Sequence, residues 1–303
     1  MDPVRAVGIV VIGRNEGERL ALCLDSLVRH GERIVYVDSG STDGSVALAT
    51  ARGVEVVPLD SATPFTAARA RNAGVARAVE RWPDLSLVQF IDGDCELDRD
   101  WLPVAVGTLA SRPRVAAVFG RRRERFPDAT IFNRLCDMEW DGPAGIVDSC
   151  GGDVLMRIAA FHDGSGFCDT LIAGEEADLC HRMRRHGWSI LRLSADMTRH
   201  DVAMTSPVQW WQRNRRSGYA GAEAWIRRGR DDPRLLKPVL SNLIWALPVV
   251  WPLWPVLWWR MFRQTNALYA THIVIGKVPH CAGQLEYGWA RLRTRRARLI
   301  EYK

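Results

Sequence analysis

LSLVQFIDGD, residues 85–94, is the stretch that decides the fold. Its apolar run, Leu85–Ile91, has the length of one buried strand and stops on Asp92-Gly93-Asp94. A short apolar run that ends abruptly in acidic and glycine residues reads as a strand covered on both faces, with polar groups at its carboxyl end. Working outward, Val7–Ile12 is a β-branched run broken at Asn15-Glu16-Gly17, Ile34–Val37 is closed by Asp38-Ser39-Gly40, and Val54–Val57 is a third such run. Between them, Glu18–Arg29, Ser45–Arg52 and Thr66–Glu80 have helical spacing; Leu20, Cys23, Leu24 and Leu27 share one face of the first, and Asp43 or Ser41 suits the N-cap of the second. Val115–Phe119 and Ser189–Leu193 read as further strands and Ala177–His186 as a helix. This alternation predicts an α/β fold on a doubly wound, mostly parallel sheet.

Ligands of such sheets collect at the carboxyl ends of strands. Here three strand ends carry Arg14-Asn15-Glu16, Asp38 and Asp92-Gly93-Asp94. Asp-Gly is also an ordinary turn dipeptide. Two carboxylates flanking a glycine after a buried strand nevertheless suit one hard cation and the phosphates it carries, since Mg²⁺ and Mn²⁺ take oxygen ligands.

Composition sets the outer bounds. The chain has 303 residues, 47% hydrophobic and 25% charged, which excludes a disordered or fibrous protein. Its net charge of +6 is unevenly divided: residues 206–303 hold 17 Lys/Arg against 5 Asp/Glu, and nine of the 13 tryptophans. An acidic first part and a basic, Trp-rich last part suggest a soluble domain joined to a segment that meets an anionic surface. Seven irregularly spaced cysteines without a CxxC pair argue against a disulfide framework or a thiolate zinc site, and for a reducing compartment. Val7–Ile12 is too short for a signal peptide, so the first domain is expected in the cytoplasm.

Six segments in order carry a family resemblance: VVIGRNEGERL (10–20), VDSGSTDGS (37–45), ARARNAG (68–74), FIDGD (90–94), GGDVLMR (151–157) and GEEADLCHRMRRHGW (174–188). Over roughly residues 6–203 the chain resembles a family 2 glycosyltransferase of the GT-A fold, and MTRHDVAMT (197–205) with RLIEYK (298–303) resembles a bacterial subgroup. The resemblance implies transfer of a sugar, with inversion, from a nucleotide diphosphate donor, with UDP favoured. It places Asp38 at the base, Asn15 and Glu16 near the nucleoside, Arg71 at the diphosphate and Asp92 at the ribose and metal. Asp94 would ligate Mg²⁺ or Mn²⁺ directly, and His200 would complete the coordination. Arg14, Ser39 and Gly93 complete the expected nucleotide-sugar pocket. Gly151-Gly152-Asp153 matches the acceptor-side loop, where relatives often have Asn in place of Asp153. Glu176 maps to the catalytic base, with Glu175 as the alternative, because this chain has Glu-Glu where the family shows Glu-Asp. Asp178 and Arg182, four apart, read as a structural pair.

Pro238–Trp259 is a 22-residue run without charge, long enough to span a bilayer. Pro248, Pro252 and Pro255 break a straight helix, and a single span would place Arg263, Lys277, the Arg291–Arg298 cluster and Lys303 outside, against the positive-inside rule. A kinked re-entrant hairpin or in-plane burial is expected instead. In Ser206–Arg230, Trp210, Trp211 and Trp225 alternate with arginines, which suits an interfacial helix on anionic lipid. A nucleic-acid partner is not expected, since an uncharged run of this length has no place in an RNA-binding tail.

The expectation is a catalytic domain over residues 1–205 and a membrane-associated helical region over 206–303, on the cytoplasmic face of a bacterial inner membrane. The acceptor would be lipid-linked or a saccharide. The competing readings are a sugar nucleotidyltransferase and a non-catalytic, membrane-associated nucleotide-sugar-binding protein.

Overall fold

The computed structural model describes residues 6–31 and 33–293. The segment 298–303, with Lys303 and the Arg295–Arg298 part of the basic cluster, lies outside the described residues. The described chain divides into two compact units: residues up to 126, 139–171 and 175–202 form the first, and residues 127–138, 172–174 and 203–293 the second.

In chain order the first unit and the passages through it contain β1 (Val7–Gly13), α1 (Glu18–Leu27), β2 (Ile34–Asp38), α2 (Ser45–Ala51), β3 (Glu55–Pro58), α3 (Ala67–Arg81), β4 (Leu87–Asp92), β5 (Cys95–Leu97), α4 (Trp101–Ser111), β6 (Val115–Glu124), α5 (Ile131–Trp140), β7 (Gly145–Val147), β8 (Val154–Arg157), α6 (Ile158–Asp163), α7 (Glu175–Arg185) and β9 (Ser189–His200). One sheet runs β3-β2-β1-β4-β8-β6-β9-β5, with β7 added to β9. Its first four strands are parallel, as the sequence predicts. The other half is mixed, because β8 inserts antiparallel to both β4 and β6. Register aligns the strand ends: Ile12 pairs with Asp92 and Gly13 with Asp38, so β1, β2 and β4 stop at one level.

Both faces are covered. Leu20, Leu24 and Leu27 of α1 join Trp101, Leu102 and Leu109 of α4 on one side. Ala68, Val75 and Ala78 of α3 join Phe161, Leu179 and Met183 on the other. The one polar side chain inside β4 has a use there: Gln89 accepts from the Trp101 indole at 2.8 Å and donates to the Phe90 carbonyl at 2.7 Å, so neither residue leaves a polar atom bare in the core. Thr66 caps α3 through Arg69 N–H at 3.1 Å. At α2, Gly44 rather than Asp43 or Ser41 takes the N-cap position, and Asp43 accepts from Ser45 N–H at 3.0 Å instead.

The second unit contains α8 (Pro207–Arg228), α9 (Leu236–Ala246), α10 (Trp254–Phe262) and α11 (Ala267–Leu292). A capping box opens α8: Ser206 Oγ accepts from Gln209 N–H at 3.3 Å and Gln209 Oε1 from Ser206 N–H at 3.0 Å. α8 and α11 approach backbone to backbone, because Gly218 lies against His280 and Gly283 against Arg215 with no room for a Cβ at either. Arg215–Glu286 at 2.7 Å and Trp210 Nε1 to His272 Nδ1 at 2.9 Å fix that crossing. The uncharged run is not one helix: Pro248 starts a short 3₁₀ segment, and the pieces Pro233–Ala246 and Pro248–Phe262 are bent by 96°. Among the described residues no single helix is long and apolar enough to cross a membrane.

Candidate active site

The first two strand ends are tied into one loop pair. Asn15 sits in the left-handed region at φ 55°, which short polar side chains tolerate best. Its N–H donates to Ser41 Oγ at 2.9 Å and its Oδ1 accepts from Thr42 N–H at 2.7 Å. Asp38 is buried and shapes its own loop, one oxygen accepting from Gly40 and Ser41 N–H at 3.0 and 2.9 Å and the other from the Tyr36 hydroxyl at 3.1 Å. Ser39 N–H donates to the Gly13 carbonyl at 3.0 Å and Gly93 N–H to Ile12 at 2.8 Å, so β1, β2 and β4 are laced together at the mouth. Glu16 pairs with Arg19 at 2.8 Å, and Arg14 lies over the Phe65 ring at 5.8 Å.

The centre of the site is Arg71 on α3, only 3% exposed. It donates to Glu175 Oε1 at 2.7 Å, Glu176 Oε1 at 3.3 Å and Asp92 Oδ1 at 3.0 Å, and its guanidinium lies 5.6 Å from the Phe167 ring. Burial opposes its charge, but Asp92, Glu176 and Glu175 outweigh that and hold it protonated well above the usual range. The sequence resemblance places Arg71 at a diphosphate; in the structure its N–H fork meets three carboxylates. Gly152 closes this cage, since a Cβ there would collide with Arg71 and lie 3.3 Å from both Asp92 and Glu176. Gly151 has open space beside it.

The two glutamates open α7 but differ. Glu175 is 5% exposed and bound closely to Arg71, whereas Glu176 keeps 17% of its side chain exposed. Burial, and then the neighbouring Glu175, raise the Glu176 carboxyl to about 7, with Arg71 partly offsetting the rise. A carboxylate that changes protonation near neutrality is suited to accept a proton. Asp178 and Arg182 form their expected pair at 2.9 Å, one turn along α7.

Arg122 on β6 is a residue that sequence reasoning missed. It pairs with Asp153 at 2.8 Å and with Asp92 Oδ2 at 3.3 Å, and lies 5.5 Å from the Trp140 ring. Asp153 is buried and accepts from Asp92 N–H at 3.0 Å and from the Thr198 hydroxyl at 2.7 Å. This explains why Asp stands where relatives often have Asn: an amide facing Arg122 and Thr198 would turn a donor toward donors. Asp92 is thus held between two guanidiniums.

Asp94 and His200 meet where β5 pairs with β9. Asp94 Oδ2 lies 3.2 Å from His200 Nε2, both groups are buried, and Trp140 meets the imidazole edge-on at 4.9 Å. Burial, and then Arg122, lower His200 to about 4, so the ring is neutral at pH 7, the form that ligates metal. Glu124 Oε2 stands 4.0 Å from its other ring nitrogen. Asp94, Cys95 and His200 present donor atoms within 4.8 Å of one another. Burial keeps the Cys95 thiol protonated, which leaves carboxylate and imidazole as the donors, a set that fits a divalent ion such as Mn²⁺. Arg122 and Glu124 belong to a run of five charged residues, 121–125, that looks like a loop; only the continuation of the Val115–Phe119 alternation signals them.

Residues 8–145 match the family model described as glycosyl transferase family 2. The O-antigen chain rhamnosyltransferase RfbN of Salmonella typhimurium is 24% identical over 267 residues, 80% of this chain and 82% of that protein. A TPR repeat-containing protein of Synechococcus elongatus is 34% identical over 91 residues, and the match covers 30% of this chain but only 21% of that relative's length. Among solved structures, the mannosyltransferase PcManGT from Pyrobaculum calidifontis, in complex with GDP-Man and Mn²⁺, has a TM-score of 0.66 at 18% identity, covering 94% of this chain and 88% of that one. At that identity the likeness is one of fold, the GT-A architecture. Residues 8–145 of this chain thus form a glycosyl transferase family 2 domain on the GT-A fold, and the rhamnosyltransferase relative, matched over most of both chains, agrees with a glycosyltransferase.

Proposed function

We propose that this enzyme transfers a sugar from a nucleotide diphosphate donor, UDP-linked in the favoured case, to a saccharide or lipid-linked acceptor with inversion and with a divalent ion. The observation that carries the reading is the Arg71 cage of Asp92, Glu175 and Glu176 together with the Asp94–His200 pair. Glu176 takes the acceptor hydroxyl proton while that oxygen bonds to the anomeric carbon from the face opposite the diphosphate. The bond from the anomeric carbon to the diphosphate oxygen breaks, and the diphosphate leaves with the electron pair. Glu175 and Arg71 hold Glu176 in place. Asp94 and His200 would hold Mn²⁺ or Mg²⁺, which when bound neutralises charge on the leaving diphosphate. Asp38, Asn15, Glu16, Ser39, Arg14 and Gly93 shape the nucleoside end, and Gly151-Gly152-Asp153 borders the acceptor.

Nucleoside diphosphate release across a panel of sugar nucleotides, with Mn²⁺, with Mg²⁺ and with chelator, tests this. One donor should be turned over in a metal-dependent way, Asp94→Ala should abolish it, and the product's anomeric configuration by NMR should be opposite to the donor's. Turnover unaffected by chelator and by Asp94→Ala would refute the metal assignment, and a retained configuration would refute inversion.

We propose further that the protein associates with the cytoplasmic face of a bacterial inner membrane; what supports lipid contact is the surface of the second unit. Leu240, Ile244, Val249, Trp251, Val256 and Trp259 are exposed along α9, the 3₁₀ segment and α10. Lys237, Arg260 and Arg263 flank them. Exposed apolar and Trp side chains flanked by basic ones suit a bent interfacial segment on anionic lipid.

A further inference from the structure

Cys150 and Cys180 have no part in the chemistry above, yet their sulfurs lie 3.5 Å apart inside the first unit. Cys180 is buried on α7, one helical turn after Glu176; Cys150 is half-buried and immediately precedes Gly151-Gly152-Asp153. Two buried cysteines are by themselves ordinary core residues. These two share a hydrogen bond, however, in which either sulfur can be the donor, and that contact sets them apart from the other cysteines. The two sulfurs also belong to different segments, Cys150 immediately before Gly151-Gly152-Asp153 and Cys180 on the helix that carries Glu176.

We propose that Cys150 and Cys180 are a reversible thiol-modification site that takes small disulfides of the glutathione type and, once closed, throttles transfer. One thiol proton of the pair passes to water, the shared proton shifts to Cys180, and Cys150, the half-buried residue of the two, attacks one sulfur of the small disulfide R–S–S–R. A mixed disulfide forms and R–S⁻ leaves. The departing R–S⁻ takes the Cys180 proton, and the Cys180 thiolate attacks the Cys150 sulfur, closing the protein disulfide and releasing the second R–S⁻. The two protein thiols are oxidised to one disulfide, and the small disulfide is reduced to two thiols. Closure draws the sulfurs from 3.5 Å to about 2.05 Å, a movement of about 1.5 Å. Gly152 already touches Arg71 and faces Glu176, so closure pins the loop to the base helix where the acceptor enters. The effect on rate rests on the assignment of Glu176 and the acceptor-side loop; the bond itself does not.

The test is a redox titration of the full chain in glutathione buffers. Peptide mapping by mass spectrometry reads the bond, and nucleoside diphosphate release reads the rate. The expected result is a Cys150–Cys180 linked peptide that appears as the buffer becomes oxidising, with at least a fivefold loss of transfer reversed by dithiothreitol. Cys150→Ala, at the half-exposed position, should remain active and lose the redox response. Cys180→Ser should carry only a mixed disulfide on Cys150. Absence of the linked peptide, or glutathione confined to other cysteines, overturns the site. A linked peptide with the rate unchanged overturns its hold on catalysis while leaving the transferase reading intact, and a Cys150→Ala enzyme that still loses activity on oxidation overturns it as well.

Discussion

Glu175 and Glu176 are chemically identical neighbours, and their surroundings separate them. Glu175 neutralises Arg71 in the interior, while Glu176 keeps an open edge and a carboxyl raised to about 7. The raised value has a sign that stability should report. A folded carboxyl above its unfolded value of 4.5 favours the protonated protein, so Glu176 lowers stability as pH rises from about 4.5 through 7. Glu176→Gln should therefore melt above the native enzyme at pH 8, with the difference vanishing below pH 4.5. Arg71 offers a harsher test. Arg71→Ala leaves three carboxylates facing one another and should cost about 3–5 kcal/mol in denaturant unfolding; Arg71→Lys should recover only part, since an ammonium cannot serve three acceptors as a guanidinium fork does. At Asp153, Asn should weaken both stability and donor affinity, and Arg122→Gln combined with Asp153→Asn should cost less than the two singles added, a coupling that a double-mutant cycle of melting and donor binding measures.

At the scale of elements, the strands that place the site were legible and those that brace it were not. β1, β2 and β4 announce themselves because burial on both faces demands unbroken apolar runs that stop at polar loops. β8, Val154–Arg157, is four residues long and gives no period to read. β6 runs on through Arg121-Arg122-Arg123-Glu124 because each charge finds a partner: Arg122 and Glu124 turn toward the site, while Arg121 and Arg123 approach Asp141 and Asp196 at 3.7 Å. Hydropathy cannot show such pairing, so the apolar pattern alone ends the strand at Phe119. The same blindness hides Arg122 and the three carboxylate partners of Arg71. Two glycine positions test the packing. Gly152→Ala should cut turnover at least tenfold by displacing Arg71, with little effect on far-UV circular dichroism. Gly283→Leu should drive α11 from α8 and lower the melting temperature of the second unit.

For the whole molecule, the divided charge gains structural meaning. The acidic part holds the carboxylate cage, and the basic part carries exposed Trp251 and Trp259 on a segment bent by 96°. If that segment meets lipid, the protein should co-sediment with phosphatidylcholine vesicles containing phosphatidylglycerol, bind pure phosphatidylcholine several-fold less, and lose the difference as salt rises. Trp251→Ser with Trp259→Ser should reduce sedimentation on both vesicle types. Equal binding to both lipids at low salt, or none, would contradict the membrane assignment.

The central claim, that a glutamate poised by Arg71 accepts the proton during transfer, is tested most directly by the pH dependence of kcat/KM for the native enzyme and Glu176→Gln. The native profile should fall tenfold per pH unit below about 7. Glu176→Gln should lose roughly 10²–10⁴-fold at its plateau, with donor affinity kept and the acid limb gone. A Glu176→Gln enzyme within twofold of native, with the same acid limb, would contradict the account.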